Sequence, residues 1–344
     1  MYYITSYNRF GQKYTSEKEE RPDLQGNPNL DLNQLSFWNR PTLTPDEEIY
    51  QTFRIPKASG GFREINAPHW KLKERQRELV KHMQEHLHIL ESPWAFAYTK
   101  GLSSLDALKK HQDNHSKWFL KIDIKDFFPS CTINVVENNL SKLFPICSWL
   151  EIDRDALFDT LRDYVYHNGC LPQGGVTSPY LSNLIMVSYD YQIHKLLKTA
   201  ANFKKQKYVY TRYADDVLIS AKNKFEWQTI VNEIQNIFGT DFTLKREKTR
   251  YGSSSGRNWN LGTMLNAENN ITIGYKAKEE WKRKMMEIII KHSNNENITL
   301  AEKQHLSGVL AYYKSIEPEY FNYLNRHYLE KYNQNFEQII KPIY

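Results

Sequence analysis

The sequence predicts an α+β fold, because short runs of strand character alternate with longer stretches of helical periodicity. Residues 117–124 form an apolar-rich run typical of a buried strand, which must end before Pro129. The segment KYVYTRYADDVLIS, residues 207–220, has two β-branched and aromatic runs on either side of Ala214-Asp215-Asp216, a pattern that predicts a β-hairpin. From Lys276 onward the chain is predicted to be mostly helical.

The other elements follow in order along the chain. Residues 1–44 are polar and interrupted by prolines, and we expect an irregular N-terminal extension with short helices. Two extended runs around Ser59-Gly60-Gly61 predict a hairpin from Tyr50 to Ala67. Further predictions are a helix from Lys71 to Leu90, helix over 132–165 with a break near Pro145, a loop over 168–179, a helix from Tyr180 to about Lys198, a helix over 224–238, and strands within 242–274, one of them around Leu261 to Leu265.

Composition excludes several classes of protein. The 344 residues carry a formal net charge of +6, which does not by itself indicate nucleic-acid binding. The chain has 23 Tyr, 16 Phe and 8 Trp, which suit stacked bases but equally fill cores. Three cysteines without a CxxC pair predict neither a disulfide framework nor a zinc site. No apolar run approaches about 20 residues and no signal-peptide layout is visible, so we expect a cytoplasmic protein with no membrane partner.

Three aspartates stand where predicted strands end. Asp215 and Asp216 lie at the tip of the predicted hairpin, and Asp123 ends the strand within 117–124. If these strands are neighbours, the three acids converge, and because like charges repel, such a cluster implies a bound cation. Two Mg²⁺ ions about 4 Å apart would suit the attacking and leaving oxygens of a nucleotidyl transfer. An Asp-Asp pair taken alone is more often an ordinary turn.

Six segments, in a fixed order, resemble the motifs of reverse transcriptases. They are IPKASGGFREINAP (residues 55–68, the fingers hairpin of bacterial members), KIDIKDFFPS (121–130, the first catalytic motif), LPQGGVTSPYLSN (171–183, the QGxxxSP motif), YADD (213–216, the YxDD box), LKREKTRYG (244–252, the Lys-Thr motif) and NLGTMLN (260–266, the primer grip). On these motifs the chain is identified as a member of that family. The resemblance implies RNA-directed DNA polymerase activity and a right-hand polymerase fold, with fingers, a palm containing an antiparallel sheet, and a helical thumb.

The resemblance also assigns catalytic roles by position. Metal ions, two Mg²⁺ with Mn²⁺ as the alternative, are expected at Asp123, Asp215 and Asp216, with an oxygen from the backbone of Ile124. Phe128 matches the steric gate, whose ring clashes with the 2′-hydroxyl of a ribonucleotide and so favours deoxynucleotides. The alternative is a core phenylalanine.

Substrate contacts are implied in the same way. Gln173 and Gly174 would line the incoming nucleotide, where glycine lets the backbone approach closely, although a plain flexible turn is the alternative. Lys57 and Arg63 would hold the triphosphate, or else belong to a solvated hairpin. Lys248 matches a general acid that protonates the leaving pyrophosphate, or is simply solvated. Primer and template contacts are assigned to Leu261, Gly262, Lys282 and Arg283.

The expected domain order follows from these motifs. It is an N-terminal extension (1–44), fingers (45–115), a palm (116–274, with helices of about 132–170 contributing to the fingers) and a thumb (275–344). Six basic residues over 276–291 would let the thumb follow a phosphate backbone, and a solvated, salt-bridged helix is the alternative. No appended RNase H or endonuclease domain is expected, so a second activity would belong to a partner.

YADD and SPYLSN look closest to bacterial retron-type enzymes of the group II intron-like lineage. Two segments depart from that pattern: LDALKKH (105–111) stands at the NAxxH-like box, and WNLGTMLN (259–266) at the VTG box. Other defence-associated reverse transcriptases fit equally, and a diversity-generating enzyme fits less well. These relatives imply a structured non-coding RNA as template and primer, a DNA product, a role in anti-phage defence, and an effector protein or second polymerase subunit as partner.

Two functions of other classes stay open from the sequence. A catalytically silent RNA-binding scaffold or sensor of a defence complex would not need the three aspartates, whose presence argues against it. An RNA-making polymerase would not need the gate, and Phe128 argues against that function.

Overall fold

The computed structural model describes residues 2–7, 13–18, 49–57, 60–87, 90–143, 146–150, 152–254, 259 and 262–342. The chain divides into two compact units. The larger unit is Leu32–Ser254, and the smaller unit combines Met1–Asp31 with Ser255–Tyr344.

Strands and helices are mixed along the described residues, which confirms the α+β prediction. The strands are β1 (Tyr2–Tyr7), β2 (Lys13–Lys18), β3 (Tyr50–Pro56), β4 (Phe62–Pro68), β5 (Trp118–Asp123), β6 (Tyr208–Tyr213), β7 (Asp216–Ala221), β8 (Arg250–Ser253), β9 (Met264–Leu265) and β10 (Ile271–Thr272). The helices are α1 (Trp70–Leu87), α2 (Ser104–Asp113), α3 (Phe127–Ser130), α4 (Ile133–Ser141), α5 (Ile146–Trp149), α6 (Arg154–Tyr164), α7 (Ser178–Lys204), α8 (Trp227–Phe238), α9 (Tyr275–Ser293), α10 (Leu300–Ile316), α11 (Pro318–Tyr332) and α12 (Phe336–Ile339).

A four-stranded antiparallel sheet in the order β6-β7-β5-β8 organises the larger unit. Strand β5 is central, and its residues Phe119, Leu120 and Ile122 are fully buried, which explains the continuous apolar run in the sequence. One hydrophobic core joins this sheet to apolar side chains of α1, α4, α6, α7 and α8. The sheet is therefore a rigid base for the residues at its strand ends.

The hairpin of β3 and β4 contacts the loop that precedes α7. Its strands pair from Tyr50–Pro68 to Pro56–Phe62, and the backbone N–H of Asn66 donates to the carbonyl of Gln173 at 2.7 Å. Helix α1 holds the same loop through the buried Gln76, whose Oε1 accepts from the N–H of Val176 at 2.9 Å. The loop is thus held between the hairpin and α1.

Most sequence-predicted elements are confirmed among the described residues, and three differences stand out. Helix α7 begins at Ser178, because Pro179 lies in its first turn, where no backbone N–H is needed, and it continues to Lys204. Helix α2 was not predicted, although Ser103 and Asp106 form a capping box that the sequence displays. The expectation of short helices in the N-terminal extension is wrong for the described residues there, which form the antiparallel pair of β1 and β2.

The smaller unit has its own hydrophobic core, formed by α9, α10, α11 and α12. Trp281 lies in this core, 4% exposed, with its ring edge-on to Tyr313 and Phe336. It therefore packs rather than stacking on a base. Across the part of the chain that the structure describes, no helix is both long and apolar enough to cross a membrane.

Helix α2 places His111, fully buried, against the strands β6 and β7. One ring nitrogen bonds Thr211 Oγ1 at 2.8 Å, and the other bonds the hydroxyl of Ser220, which in turn donates to Ser116 Oγ at 2.7 Å. Burial lowers the pKa of His111 from its ordinary 6.5 to about 3, because the charged ring would lose its hydration.

We predict that His111 makes folding sensitive to acid. The unfolded chain binds a proton near pH 6.5, whereas the folded chain binds it only near pH 3. Stability is therefore fully present above the unfolded pKa and is lost as pH falls toward the folded pKa, by at most about 1.4 kcal/mol per pH unit. His111→Gln should flatten the decline of the free energy of unfolding between about pH 6.5 and 4, measured by urea denaturation.

The control is His86→Gln, which changes an exposed histidine in the same unit and should keep the slope of the unmodified protein. An unchanged slope in the His111 variant would contradict the assignment.

Candidate active site

The register between β5 and β7 brings the three aspartates to one end of the sheet. Asp123, the last residue of β5, lies directly opposite Asp216, the first residue of β7. Directly opposed side chains share a face, with Cβ atoms about 5 Å apart. Asp215 occupies the tight turn before Asp216, in which Ala214 has φ +57°. The carbonyl of Asp215 accepts a hydrogen bond from the N–H of Ile124 at 3.1 Å. The register and the turn therefore place the three aspartates at the same end of the sheet.

Negative charge at this end of the sheet is only partly neutralised. Burial raises the pKa of Asp215, and the neighbouring Asp216 and Asp123 raise it further, whereas Lys248 lowers it. Lys121 Nζ lies 2.7 Å from Asp216 Oδ2, and Lys248 Nζ lies 3.1 Å from Asp123 Oδ2. Among the described residues, Asp215 forms no ion pair of its own, and no group of three Asp, Glu, His or Cys side chains is already arranged to hold a metal ion.

A buried ion pair supports the turn that carries Asp215. Arg212, on β6, contacts the carboxylate of Asp190 on α7 through Nε and Nη2, at 2.9 and 2.8 Å, and both side chains are fully buried. Arg212 Nη1 also donates to Asn183 Oδ1 at 3.0 Å and to the carbonyl of Ala214 at 3.3 Å. The turn is thus attached to the longest helix of the unit. Sequence reasoning missed this pair, although Asn183 ends the QGxxxSP motif and Arg212 directly precedes the YxDD box.

Phe128 lies in α3, half-buried, next to Tyr98. The two ring centroids are 6.4 Å apart. Tyr98 has φ +61°, which is uncommon for a bulky residue, and its side chain is partly exposed. Burial raises the pKa of Tyr98, Asp215 raises it further, and Arg63 lowers it. Tyr98 therefore lies within electrostatic range of a carboxylate and of the β3–β4 hairpin. No sequence pattern identified it.

The loop at Gln173 and Gly174 lies directly against β4. Gly174 has φ +117°, and a Cβ placed on it would lie 2.8 Å from the carbonyl oxygen of Asn66 and 2.9 Å from Ile65 Cγ2. A Cβ on Gly175 would lie 2.7 Å from Ser178 Oγ. The plain flexible turn is therefore excluded, because both glycines are required by close packing.

The remaining predicted residues lie in different surroundings. Lys57 and Arg63 are exposed at the turn of the hairpin, as the sequence predicted, and Lys248 lies in a short 3-10 turn (Arg246–Lys248) beside Asp123. Leu261 lies outside the described residues. Gly262, Lys282 and Arg283 belong to the smaller unit.

The basic residues of α9 are largely neutralised by neighbouring glutamates. Ion pairs join Lys278 to Glu317, Lys282 to Glu279, Lys284 to Glu287, and Lys291 to Glu287 and Glu302. Among the described residues, Lys276 and Arg283 are exposed and form no ion pair. The salt-bridged helix is therefore the better description of most of this segment.

A hairpin packed on a glycine loop, next to aspartates at the end of an antiparallel sheet, is the arrangement of a right-hand polymerase. A family model described as "Reverse transcriptase (RNA-dependent DNA polymerase)" matches residues 55–295, more than two thirds of the chain. The chain belongs to the reverse transcriptase family, and its predicted RNA-directed DNA polymerase activity is confirmed.

Individual proteins agree with this assignment. The chain is 27% identical over 299 residues to the retron Ec83 reverse transcriptase of Escherichia coli, covering 82% of this chain and 87% of the relative. It is 30% identical over 290 residues to the retron Mx65 reverse transcriptase of Myxococcus xanthus, covering 80% of this chain and 64% of the relative. These matches confirm the predicted retron-type resemblance.

The fold has a counterpart among solved structures. Apo telomerase from Candida tropicalis superposes with a TM-score of 0.51 at 12% identity, covering 87% of this chain and 65% of the telomerase chain. At this identity the likeness concerns the fold alone, and it agrees with the right-hand polymerase prediction.

We predict that Gly174→Ala separates the loop from the hairpin. The added Cβ overlaps the carbonyl of Asn66 and the side chain of Ile65, so the bond from the Asn66 N–H to Gln173 should weaken. Hydrogen exchange at the Asn66 amide should accelerate about fivefold or more, corresponding to a net hydrogen bond of about 1 kcal/mol.

Gly169→Ala is the matched control, because Gly169 also has positive φ (+74°) but a Cβ there meets nothing within 4 Å. It should strain the backbone without changing exchange at Asn66. Equal acceleration in both variants would show that backbone strain, rather than contact with the hairpin, is responsible.

Proposed function

We propose that the chain copies a cognate structured non-coding RNA into DNA, by nucleotidyl transfer at Asp123, Asp215 and Asp216. The observation that carries the proposal is the β5–β7 register, which sets Asp123 opposite Asp216 with Asp215 in the adjoining turn. The retron names of the relatives support the choice of an RNA template.

The aspartates fit divalent cations. Carboxylate oxygens are ligands that Mg²⁺ prefers. Burial raises the pKa of the partly exposed Asp215, and the negative charge of Asp216 and Asp123, which a cation would offset, raises it further. Asp123, Asp215 and Asp216 would hold two Mg²⁺ ions, or Mn²⁺, with the backbone oxygen of Ile124. When bound, such ions supply charge stabilisation for the attacking and leaving oxygens.

Two lysines take part in this proposal through the carboxylates they contact. Lys121 and Lys248 each hold one carboxylate oxygen and would give up or share it when a cation binds. Like an ordinary lysine, Lys248 carries its proton at neutral pH, and the hydrogen bond to Asp123 raises its pKa further. A protonated amine beside the carboxylates is suited to donate that proton to a leaving pyrophosphate.

The surrounding elements would orient the nucleotide. Arg63 would bind the triphosphate with its planar fork, assisted by Lys57. The backbone at Gln173 and Gly174 would lie against the nucleotide, and Phe128 would lie under the sugar, with Tyr98 supporting its ring. In the smaller unit, Arg283 is better suited than Lys282 to follow a phosphate backbone, because Lys282 is paired with Glu279. Leu261 and Gly262 stay predicted as primer contacts.

The cellular setting belongs to the same proposal. We assign the chain to anti-phage defence in the cytoplasm, with an effector protein or second polymerase subunit as partner, because the retron relatives resemble it over most of its length. The division into fingers, palm and thumb at the boundaries given above stays a prediction.

We predict that Asp215→Asn abolishes DNA synthesis. The substitution keeps the size of the side chain but removes the charge that would hold a cation, and a metal's contribution of several kcal/mol corresponds to a loss of about a thousandfold or more. Synthesis is measured by primer extension with an RNA template, Mg²⁺ and dNTPs.

Asp159→Asn makes the same chemical change at an exposed side chain of α6 and should retain full activity. If Asp215→Asn combined with Asp216→Asn left synthesis unchanged, the catalytic assignment would be wrong. If the double variant lost synthesis but kept full defence against phage, the RNA-binding scaffold would become the better description.

We predict that Phe128→Ala admits ribonucleotides. Removing the ring opens the space that a 2′-hydroxyl would need, so the ratio of NTP to dNTP incorporation should rise at least about tenfold. Phe62→Ala, which removes an exposed ring from the hairpin turn, is the control and should leave the ratio unchanged. An unchanged ratio in the Phe128 variant would instead support a packing role.

A further inference from the structure

The end of the four-stranded sheet opposite the aspartates carries a cluster of aromatic side chains. Its members, called the aromatic cluster below, are Trp118, Tyr208, Phe225, Trp227 and Tyr251. The ring of Tyr251 stacks on Trp118 at 5.6 Å and on Trp227 at 6.0 Å, and Phe225 meets it edge-on at 5.0 Å. All except Phe225 are partly exposed. Partly exposed rings of this kind can contact an external planar group.

A cleft of about 370 Å³ opens beside the aromatic cluster. Its walls include Lys204, Gln206, Tyr208, Lys224, Trp227 and Tyr251. The volume lies within the range of about 300–1,000 Å³ that is usual for ligand sites. The cleft is therefore large enough to take one planar group against aromatic and basic walls.

Lysines gather at the same end of the sheet because of its topology. Tyr208 and Trp118 are both register partners of Ala221, so the start of β6, the end of β7 and the start of β5 lie side by side. Six exposed lysines lie within four residues of those positions: Lys117, Lys204, Lys205, Lys207, Lys222 and Lys224.

These lysines differ from the basic residues of α9. Within the described part of the chain, none of the six forms an ion pair, whereas most lysines of α9 are paired with glutamates. Glu226 is the acidic side chain among the residues that line the cleft. Lys224 Nζ lies 4.8 Å from the ring centre of Trp118, in a cation–π contact. Positive charge at this surface is thus left for an external anion.

We propose that this end of the sheet binds single-stranded nucleic acid outside the polymerase site, with one base in the cleft and the adjoining phosphates on the lysines. Aromatic faces combined with unpaired lysines are the combination by which proteins hold single strands without reading their sequence. An acidic protein segment would use the lysines but would have no use for the ring faces. The proposal does not depend on the proposed function, since binding needs neither the aspartates nor nucleotides.

The surface is separated from the aspartates by the length of one strand. Trp118 and Asp123 are the two ends of β5, and a strand of this length spans about 17 Å. A strand held there leaves the catalytic end of the sheet accessible. Such a contact would retain a long RNA on the enzyme while another part of that RNA is copied.

The test uses the full chain and a fluorescent single-stranded RNA, oligo(U) of about 15 nucleotides, in an anisotropy titration with unlabelled primer–template added in excess to occupy the polymerase site. Lys222→Glu combined with Lys224→Glu should weaken binding at least about tenfold, and should reduce the dependence of log affinity on log salt concentration by about 1.4. Lys110→Glu combined with Lys142→Glu makes the same charge change on α2 and after α4, and should leave both quantities unchanged.

A second variant separates stacking from charge. Trp227→Leu removes a ring face and should weaken binding several-fold without changing the salt dependence. Replacing oligo(U) by oligo(dT) reports whether the site distinguishes RNA from DNA, and either result is compatible with stacking on bases. A blunt RNA duplex, whose bases are not available for stacking, should bind the Trp227 variant and the unmodified protein alike.

Two results would overturn the proposal. The first is an unchanged affinity for oligo(U) in the Lys222 and Lys224 variant. The second is loss of binding in the lysine variant but not in the Trp227 variant, which would show that the lysines bind phosphates without a base stacked in the cleft. DNA synthesis on a short RNA–DNA hybrid should be normal in all these variants, so failure of this proposal and failure of the polymerase assignment are distinguishable.

Discussion

Mutual repulsion among Asp123, Asp215 and Asp216 is the constraint that the larger unit has to satisfy. Burial raises the pKa of Asp215, and the neighbouring Asp216 and Asp123 raise it further, so a charged carboxylate at this position has a cost. The backbone meets the constraint first, because the β5–β7 ladder and the bond from the N–H of Ile124 fix where the acids can lie. Lys121 and Lys248 neutralise part of the negative charge through ion pairs with Asp216 and Asp123. The cations proposed above would offset the remaining negative charge.

The buried pair of Arg212 and Asp190 positions the turn before Asp215 rather than adding much stability. A buried ion pair adds little net stability compared with apolar packing, whereas removal of one partner costs about 3–5 kcal/mol. The pair instead fixes the position of the turn. The Arg212 guanidinium joins Asp190 of α7 to the carbonyl of Ala214, the residue directly before Asp215. The hydroxyl of Tyr210 donates to the same Asp190 carboxylate, so the network is closed on both sides. The turn cannot shift without breaking bonds that have no access to water.

Local patterns in the sequence predicted most strands and helices and placed the aspartates where strands end, because periodicity and turn residues are local signals. Contacts between distant segments were not predictable in the same way. Arg212 and Asp190 are paired only because β6 packs on α7, and Tyr98 reaches the site only through the fold of its loop. Lys121 is an intermediate case, since it lies two residues before Asp123 and so on the same face of β5. That spacing is visible in the sequence, and it places the ammonium group of Lys121 beside the aspartates.

Errors in the sequence-based predictions have physical causes as well. Strand β1 (YYITSY) is rich in β-branched and aromatic residues, a strand signal that the prolines farther along the extension obscured. The sequence left open whether the lysines of α9 are free, and glutamates three and four residues away neutralise several of them. Counting charges therefore overstates a nucleic-acid surface unless the partner of each charge is known.

The same reasoning explains how one small sheet can carry opposite charges at its two ends. Each strand is only six residues long in β5, β6 and β7, so both ends are close to solvent and neither is shielded by further sheet. At one end, acids repel phosphate unless cations are present. At the other end, lysines without carboxylate partners among the described residues attract it. Because electrostatic attraction between exposed charges fades over about 10 Å at ordinary ionic strength, the two ends act on a nucleic acid almost independently across about 17 Å of strand. The length of β5 thus separates the aspartates proposed for catalysis from the lysines proposed to retain nucleic acid.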